Sequence, residues 1–382
     1  MKLKFFLFSF IFSFSIYFPL QLNAGTELTI DTNPLLFLFG IDFEDKTDAE
    51  QTFSELPSDF FSKNDDVIPN GLVMTNTLGY PNGKSTIKPF PHFEFGAAAG
   101  GGVWQYTRFD DFDSDNPTVP FGGVNAAIHA GTGITENIDV TLKFFSLGWF
   151  YSVDDTFDYG DDRYDDKTDD DIDKPYIEAE ITDSNVYSFG IKGRYNWLKP
   201  SSIIPYFLAF GGISINLGLD YMKGKWKVVY ELHDTNDIDL EQDDETYTIE
   251  ADTRLEGSAS VEWSLLSITP EIFIYTDIFY IFSFYTGPSV SFNFGSINFN
   301  TDAEGNLDAK DADVGTVNLG DLHIGEVELR SRNKMEPSLV IPKWTLGLEM
   351  NIWALKIQVE GAAVLTSITE SFTTQVGIRF QF

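Results

Sequence analysis

The residues able to do chemistry are mostly carboxylates, and their spacing says which chemistry. In Asp111-Phe112-Asp113-Ser114-Asp115-Asn116, alternate Asp oxygens could converge on one ion, as at the start of a calcium loop. The complete motif needs Gly at its sixth position and a bidentate Glu at its twelfth, where this chain has Asn116 and Gly122. Asp111, Asp113 and Asp115 are therefore a weak calcium candidate, set against a plain solvated loop. The run from Asp154 to Asp173 could gather divalent cations by charge density, screen the surface from lipopolysaccharide, or face a partner; it reads equally as a solvated loop. A different pattern of charge, at every second position, includes Asp139, Lys143, Lys192, Arg194, Asp220, Glu256, Glu262, Lys343, Glu349, Lys356, Glu360 and Arg379. Charges placed so line one face of a wall and act as electrostatics. His92, His129, His233 and His323 have no ligand spacing, and Gly-x-Ser-x-Gly, phosphate-cradling and zinc motifs are absent from the sequence. These residues predict no enzyme and no cofactor.

What must position such charges is a set of strands. Ile138, Val140, Leu142 and Phe144 alternate with Asp139, Thr141 and Lys143; Ile213, Ile215, Leu217 and Leu219 alternate with Ser214, Asn216, Gly218 and Asp220. Leu255, Gly257, Ala259, Val261, Trp263 and Leu265 interleave with Glu256, Ser258, Ser260, Glu262 and Ser264, and Trp344 to Ile352 and Leu355 to Glu360 repeat the pattern. Successive strand residues point to opposite faces, so each segment has one apolar and one polar face. A soluble sandwich would read the same way. The connections break the tie. Short links at 133–136, 197–203, 276–279 and 353–354 alternate with long ones near 107–119, 151–184, 222–252 and 301–337. Short turns on one side and long loops on the other are the plan of a membrane barrel. The acidic runs fall in the long links.

Composition agrees. With 25 Lys+Arg against 59 Asp+Glu the formal charge is -34, which excludes a nucleic-acid role built on phosphate neutralisation. Aromatic residues at 15%, with 36 Phe, exclude a disordered acidic chain. Cysteine is absent, so there is no disulfide, no thiolate and no lipid-attachment cysteine. Lys2 and Lys4, the apolar run Phe5 to Leu20, and Leu22-Asn23-Ala24 predict a signal peptide over residues 1–24.

At the end of the chain Phe372, Thr374, Val376, Ile378, Phe380 and Phe382 occupy alternate positions. With the signal peptide and the strand-and-loop plan, this resembles the closing strand of bacterial outer-membrane β-barrel proteins. The resemblance implies that Phe372, Val376, Ile378, Phe380 and Phe382 form the signal read by the barrel-insertion machinery, and that the protein sits among outer-membrane lipids. The expected fold is all-β: a transmembrane antiparallel up-and-down barrel over residues 91–382, of twelve strands, with ten and fourteen open. Residues 25–90 are either an added hairpin, rising over Leu35 to Phe43 and descending over Val67 to Leu78, or an N-terminal plug. Asp139, Lys143, Lys192, Arg194, Glu256, Glu262, Glu349, Lys356, Glu360 and Arg379 are expected in the lumen, nearly balanced in sign, which suits a braced or narrow interior. Aromatics near strand ends, among them Phe144, Phe145, Tyr195 and Trp197, predict an interfacial girdle. Asn125 and His129 share a polar face, a pairing that resembles outer-membrane phospholipases, where Ser, His and Asn act at the lipid-facing wall; no serine strand matches here. Length and the plug resemble the long-chain fatty-acid transporters. The expected function is passage of small or hydrophobic solutes; the alternative is a surface or adhesion role for the acidic loops, with the barrel as anchor.

Overall fold

The computed structural model describes residues 27–32, 41–43, 67–83, 91–104, 121–148, 176–242, 245–314, 317–368 and 371–382. The signal segment, the Asp111–Asp115 candidate and the Asp154–Asp173 run lie outside them. In chain order come β1 (Glu27–Thr32), β2 (Ile41–Phe43), the helix α1 (Val67–Asn76), β3 (Phe93–Trp104), β4 (Phe121–Thr135), β5 (Ile138–Gly148), β6 (Tyr176–Leu198) and β7 (Ser201–Ile204). There follow β8 (Leu208–Gln242), β9 (Glu245–Ile278), β10 (Phe282–Val314), β11 (Val317–Met335), β12 (Val340–Ile352), β13 (Leu355–Val364) and β14 (Phe372–Gln381).

Twelve strands lie on one hydrogen-bonded path, β1-β11-β10-β12-β13-β14-β3-β4-β5-β6-β8-β2, and β9 bridges β8 and β10. The bridge closes a ring through β3, β4, β5, β6, β8, β9, β10, β12, β13 and β14, every neighbour antiparallel. The seam is β14 on β3, in register from Phe372↔Val103 to Gln381↔Glu94. It is finished by reciprocal bonds between Phe93 and Phe382 (3.0 and 2.9 Å) and by Phe95 stacking on Phe380 and Phe382. The terminal phenylalanines thus close the ring at its seam.

The polarity of that wall places it in a membrane. In β14 every second residue from Phe372 to Phe380 turns outward, while Thr373, Gln375, Arg379 and Gln381 are buried inside. Apolar outside and polar inside is the inverse of a soluble barrel. At the short-turn end Trp353 (89% exposed), Tyr206 (83%), Phe93, Trp197, Tyr195, Phe279 and Tyr280 form an exposed aromatic rim, in which Tyr195 and Trp197 are the expected members. Tyr206, Phe279, Tyr280 and Trp353 take φ of 64°, 54°, 56° and 56°, a left-handed geometry that costs an L-residue roughly 1 kcal/mol.

Further up, the polarity reverses. In β8, Ser214, Asn216 and Asp220 point inward and Ile215, Leu217, Leu219 and Tyr221 outward; beyond Tyr221 the inward residues become Met222, Trp226 and Tyr230, and the outward ones Lys223, Lys225 and Lys227. In β9 the change falls between Leu266, outward, and Leu265, inward; in β10 it falls at Phe294. Tyr221 pairs with Leu266 and Leu266 with Phe294, so the reversals lie on one level. Below it the wall meets lipid; above it, water. Links 222–252 and 301–337, expected as loops, are largely strand: β8, β9, β10 and β11 continue as a sheet standing above the membrane section, with β1 and β2 paired to it. The descending strand expected over Val67 to Leu78 is instead the helix α1 and its exit, buried within the ring. Val67-Ile68-Pro69-Asn70 places Pro in the first turn, where its missing N–H costs no bond, so the helix is permitted there.

Candidate functional site

Residues 67–83 run through the lumen as one segment, α1 above and the strap Leu78-Gly79-Tyr80-Pro81-Asn82-Gly83 below. Small wall residues make room for it. Gly102 and Gly123 face α1, and a Cβ on either would meet Met74 Cβ at 3.1 Å or Thr75 Cγ2 at 3.0 Å. The Gly- and Ala-rich runs of β3 and β4 are in this way the bed of the helix. Above it Val67, Ile68, Val73 and Met74 join Trp104, Met222, Val261, Trp263, Leu265, Ile297, Phe299 and Ile341 in an apolar core, with Trp226 edge-on to Trp263 at 5.7 Å. Asn70 caps the upper end against Ser338, donating to its Oγ (2.8 Å) and accepting from its N–H (2.7 Å).

Below α1 the lumen is polar and grips the strap by its backbone. Gln375 accepts from the Gly79 N–H (2.9 Å) and donates to the Tyr80 carbonyl (3.1 Å), which Gln358 also reaches (3.0 Å). Arg194 donates to the carbonyls of Pro81 (2.9 Å), Asn82 (3.3 Å) and Gly83 (3.1 Å). Tyr275 adds a bond to the Asn82 carbonyl (3.1 Å), and Arg379 one to the Gly83 carbonyl (2.8 Å). Every carbonyl from Tyr80 to Gly83 is therefore taken by the wall. The Asn82 amide donates to both oxygens of Glu360 (2.9 and 2.8 Å) and accepts from Lys192 (2.5 Å).

Of the residues expected in the lumen, Lys143, Lys192, Arg194, Glu349, Lys356, Glu360 and Arg379 are there, and Lys143, Lys192 and Arg379 hold carboxylates. Lys143 donates to the carbonyls of Asn76 and Leu78 and pairs with Asp220 at 2.8 Å, at zero side-chain exposure. Lys192 pairs with Glu271 (2.5 Å), and Arg379 bridges Glu94 (3.0 Å) and Glu349 (2.5 Å). Lys143 and Lys192 also lie 4.6 and 5.1 Å from the centre of the Tyr80 ring, within cation–π range. Lys356 donates to the Trp353 carbonyl, and Asp139 lies 3.5 Å from His92 near the short-turn end. The buried Lys143, Lys192 and Arg379 thus each have a carboxylate partner, which offsets the cost of burying their charge. The recess lined by Pro81, His129, Glu349, Lys356, Gln358 and Arg379 has no room for a water molecule.

Glu256 and Glu262 are not in the lumen. They stand above the level of reversal, where the inward side chains are Val261, Trp263 and Leu265, and so they turn outward to water. Glu262 there receives Lys225 at 3.1 Å. Period-two alternation fixes which residues share a face, not which face is inside, and the outside medium changes halfway up β9. Phe145, expected in the girdle, instead packs inward on the apolar core. Sequence reasoning missed Glu94, Glu271, Tyr275, Tyr285, Gln358 and Gln375; the last two share the period-two faces of Glu360 and Arg379, which was the available signal. Asn125 and His129 both point inward, and Asn125 donates to the Thr75 carbonyl (2.9 Å), so they do not form a lipid-facing catalytic wall. Among the described residues no group of three His, Cys, Asp or Glu could hold a metal ion.

No curated protein matches the sequence. Among solved structures the chain is similar to the translocator domain of the autotransporter NalP from Neisseria meningitidis, at 7% identity over 78% of this chain and 91% of that one, with a TM-score of 0.30. It is similar also to the toluene transporters TbuX of Ralstonia pickettii (8%, 83% and 99%, TM-score 0.20) and TodX of P. putida (10%, 83% and 92%, TM-score 0.21). Likeness at this level carries nothing about what the barrel does. The family profile described as Lsa36-like matches residues 69–382, from the first turn of α1 through the strap to the closing strand, and the chain belongs to that family.

Proposed function

We propose that this outer-membrane barrel is a sealed anchor, and that its working part is the sheet β8–β11 raised above the membrane. The observation that carries the reading is the filled lumen, with the strap's carbonyls from Tyr80 to Gly83 all bonded to the wall. A general pore needs an open, hydrated path with a bias of charge. Here cations and carboxylates neutralise one another around the strap. The raised sheet has a water-facing exterior of Lys, Arg, Glu, Asp, Ser and Asn over an apolar interior, as a surface that meets macromolecules from solution does. This is a binding role, not an enzymatic one.

The test is limited trypsin treatment of intact cells. Cleavage at Arg330 and Arg332, which lie in the raised sheet with side chains 59% and 55% exposed, is the expected result. Cleavage there only after the cells are broken would put the sheet on the periplasmic side and end the display reading.

Solute passage is a second reading, and one feature favours it. The strap belongs to no sheet, so its withdrawal would leave the ladder of the ring intact. The vacated lumen would be lined by Lys143, Lys192, Arg194, Asp220, Glu271, Glu349, Glu360 and Arg379. Such a wall suits small polar solutes and opposes hydrophobic ones.

A further inference from the structure

The outward face of β8 changes from apolar to basic within two residues. Leu217, Leu219 and Tyr221 face lipid, and the next outward positions are Lys223, Lys225 and Lys227. Spacing by two along a strand sets neighbouring lysines about 7 Å apart on one face. In a chain of charge -34 this is an unexpected place for three cations in succession. Three basic residues elsewhere on the raised sheet are neutralised locally: Arg332 by Asp302 (2.7 Å), Lys334 by Glu336 (2.7 Å) and Arg330 by Glu328. On β8, Lys225 is shared by Glu262 (3.1 Å) and Asp183 (3.7 Å). Lys223 and Lys227 have no carboxylate within ion-pair distance among the described residues. Their cross-strand neighbours on β9 are Ser264 and Ser260.

We propose that Lys223, Lys225 and Lys227 form a collar that binds the phosphate-bearing headgroup of a lipid in the outer leaflet. The position selects that occupant. The lysines stand directly above the level at which Tyr221, Leu266 and Phe294 mark the end of the lipid-facing wall, where headgroups lie. Long lysine side chains reach such phosphates while their stems stay on apolar surface. Tyr221, whose hydroxyl is 3.1 Å from Ser264 Oγ, and Tyr187, which pairs with Lys223 across the ladder, supply the apolar floor and two polar tips beside the cations. A lipid engages the collar and the belt beneath it together; free phosphate would engage the collar alone.

The experiment refolds the mature protein into vesicles of phosphatidylcholine, of phosphatidylcholine with a diphosphorylated lipid A, and of phosphatidylcholine with the same lipid dephosphorylated. Lipid retained through detergent extraction and gel filtration is then weighed by mass spectrometry. Insertion is scored separately by heat-dependent gel mobility, so a failure of the membrane reading shows as no folded band in any vesicle. The wild type is expected to hold about tenfold more phosphorylated lipid than Lys223→Gln/Lys227→Gln, with Lys223→Arg/Lys227→Arg restoring retention. If the double variant fails to insert, Lys227→Gln alone, farther from the belt, gives the same comparison. Equal retention by the Gln variant, or equal binding of the dephosphorylated lipid, would overturn the proposal. Full displacement by millimolar inorganic phosphate would overturn the lipid as its ligand and leave a free-phosphate site.

Discussion

At Lys143 the wall and its contents meet in one buried cation, joined to Asp220 on β8, to the Asn76 carbonyl that ends α1 and to the Leu78 carbonyl that begins the strap. Lys143→Met strands the Asp220 carboxylate and should lower unfolding stability by about 3 kcal/mol or more, because breaking a buried pair leaves an uncompensated charge. Lys143→Met/Asp220→Leu should recover much of that loss. Urea midpoints of the refolded barrel in detergent micelles check both, and equal losses in the single and double variants would contradict the pairing. Glu262→Gln, by contrast, touches only a solvated pair with Lys225 and should move stability by no more than about 0.5 kcal/mol. The same urea series decides whether Glu262 faces water or lumen, since removal of a lumen carboxylate would cost far more.

At the scale of elements, α1 depends on the absence of side chains in β3 and β4. Gly102→Leu would drive its side chain into Met74, with a cost of about 1–3 kcal/mol for overpacking. The chain has no cysteine, so Met74→Cys is a clean reporter, and its thiol should label slowly in the wild-type background and much faster beside Gly102→Leu. Equal labelling rates would show that the helix does not rest on that bed. The helix was the least legible element in the sequence. Val67-Ile68-Pro69-Asn70-Gly71-Leu72 carries a Pro and a Gly, which argue locally against helix, and enclosure by the wall stabilises this short ten-residue helix. The strap carried only the turn signal of Pro81, since most of its bonds come from side chains more than a hundred residues away. The strands of the membrane section were legible to within a few residues, because lipid outside and charge inside impose period two over most of their length. The upper strands kept the same period but exchanged inside for outside, and nothing in alternation alone marks that exchange. The mark was present in β8, where Leu217-Leu219-Tyr221 gives way to Lys223-Lys225-Lys227.

The whole molecule is one wall with two solvents, lipid below the Tyr221–Leu266–Phe294 level and water above it. A fluorophore on Leu219→Cys should be quenched by nitroxide-labelled lipid and one on Val229→Cys should not, since the two are outward residues of the same strand on opposite sides of that level. Quenching at both sites would mean that the belt is taller than the reversal implies. The apolar core of the tall upper section continues into α1, through Val67, Ile68, Val73 and Met74. The central claim is that residues 67–83 close this body from within. Single-channel recording of the refolded mature protein in a planar bilayer tests it most directly, with the strap deletion 78–83 measured beside it. The wild type should be electrically silent, and the deletion should give steady ion-conducting steps. Steady steps from the wild type would contradict a sealed lumen.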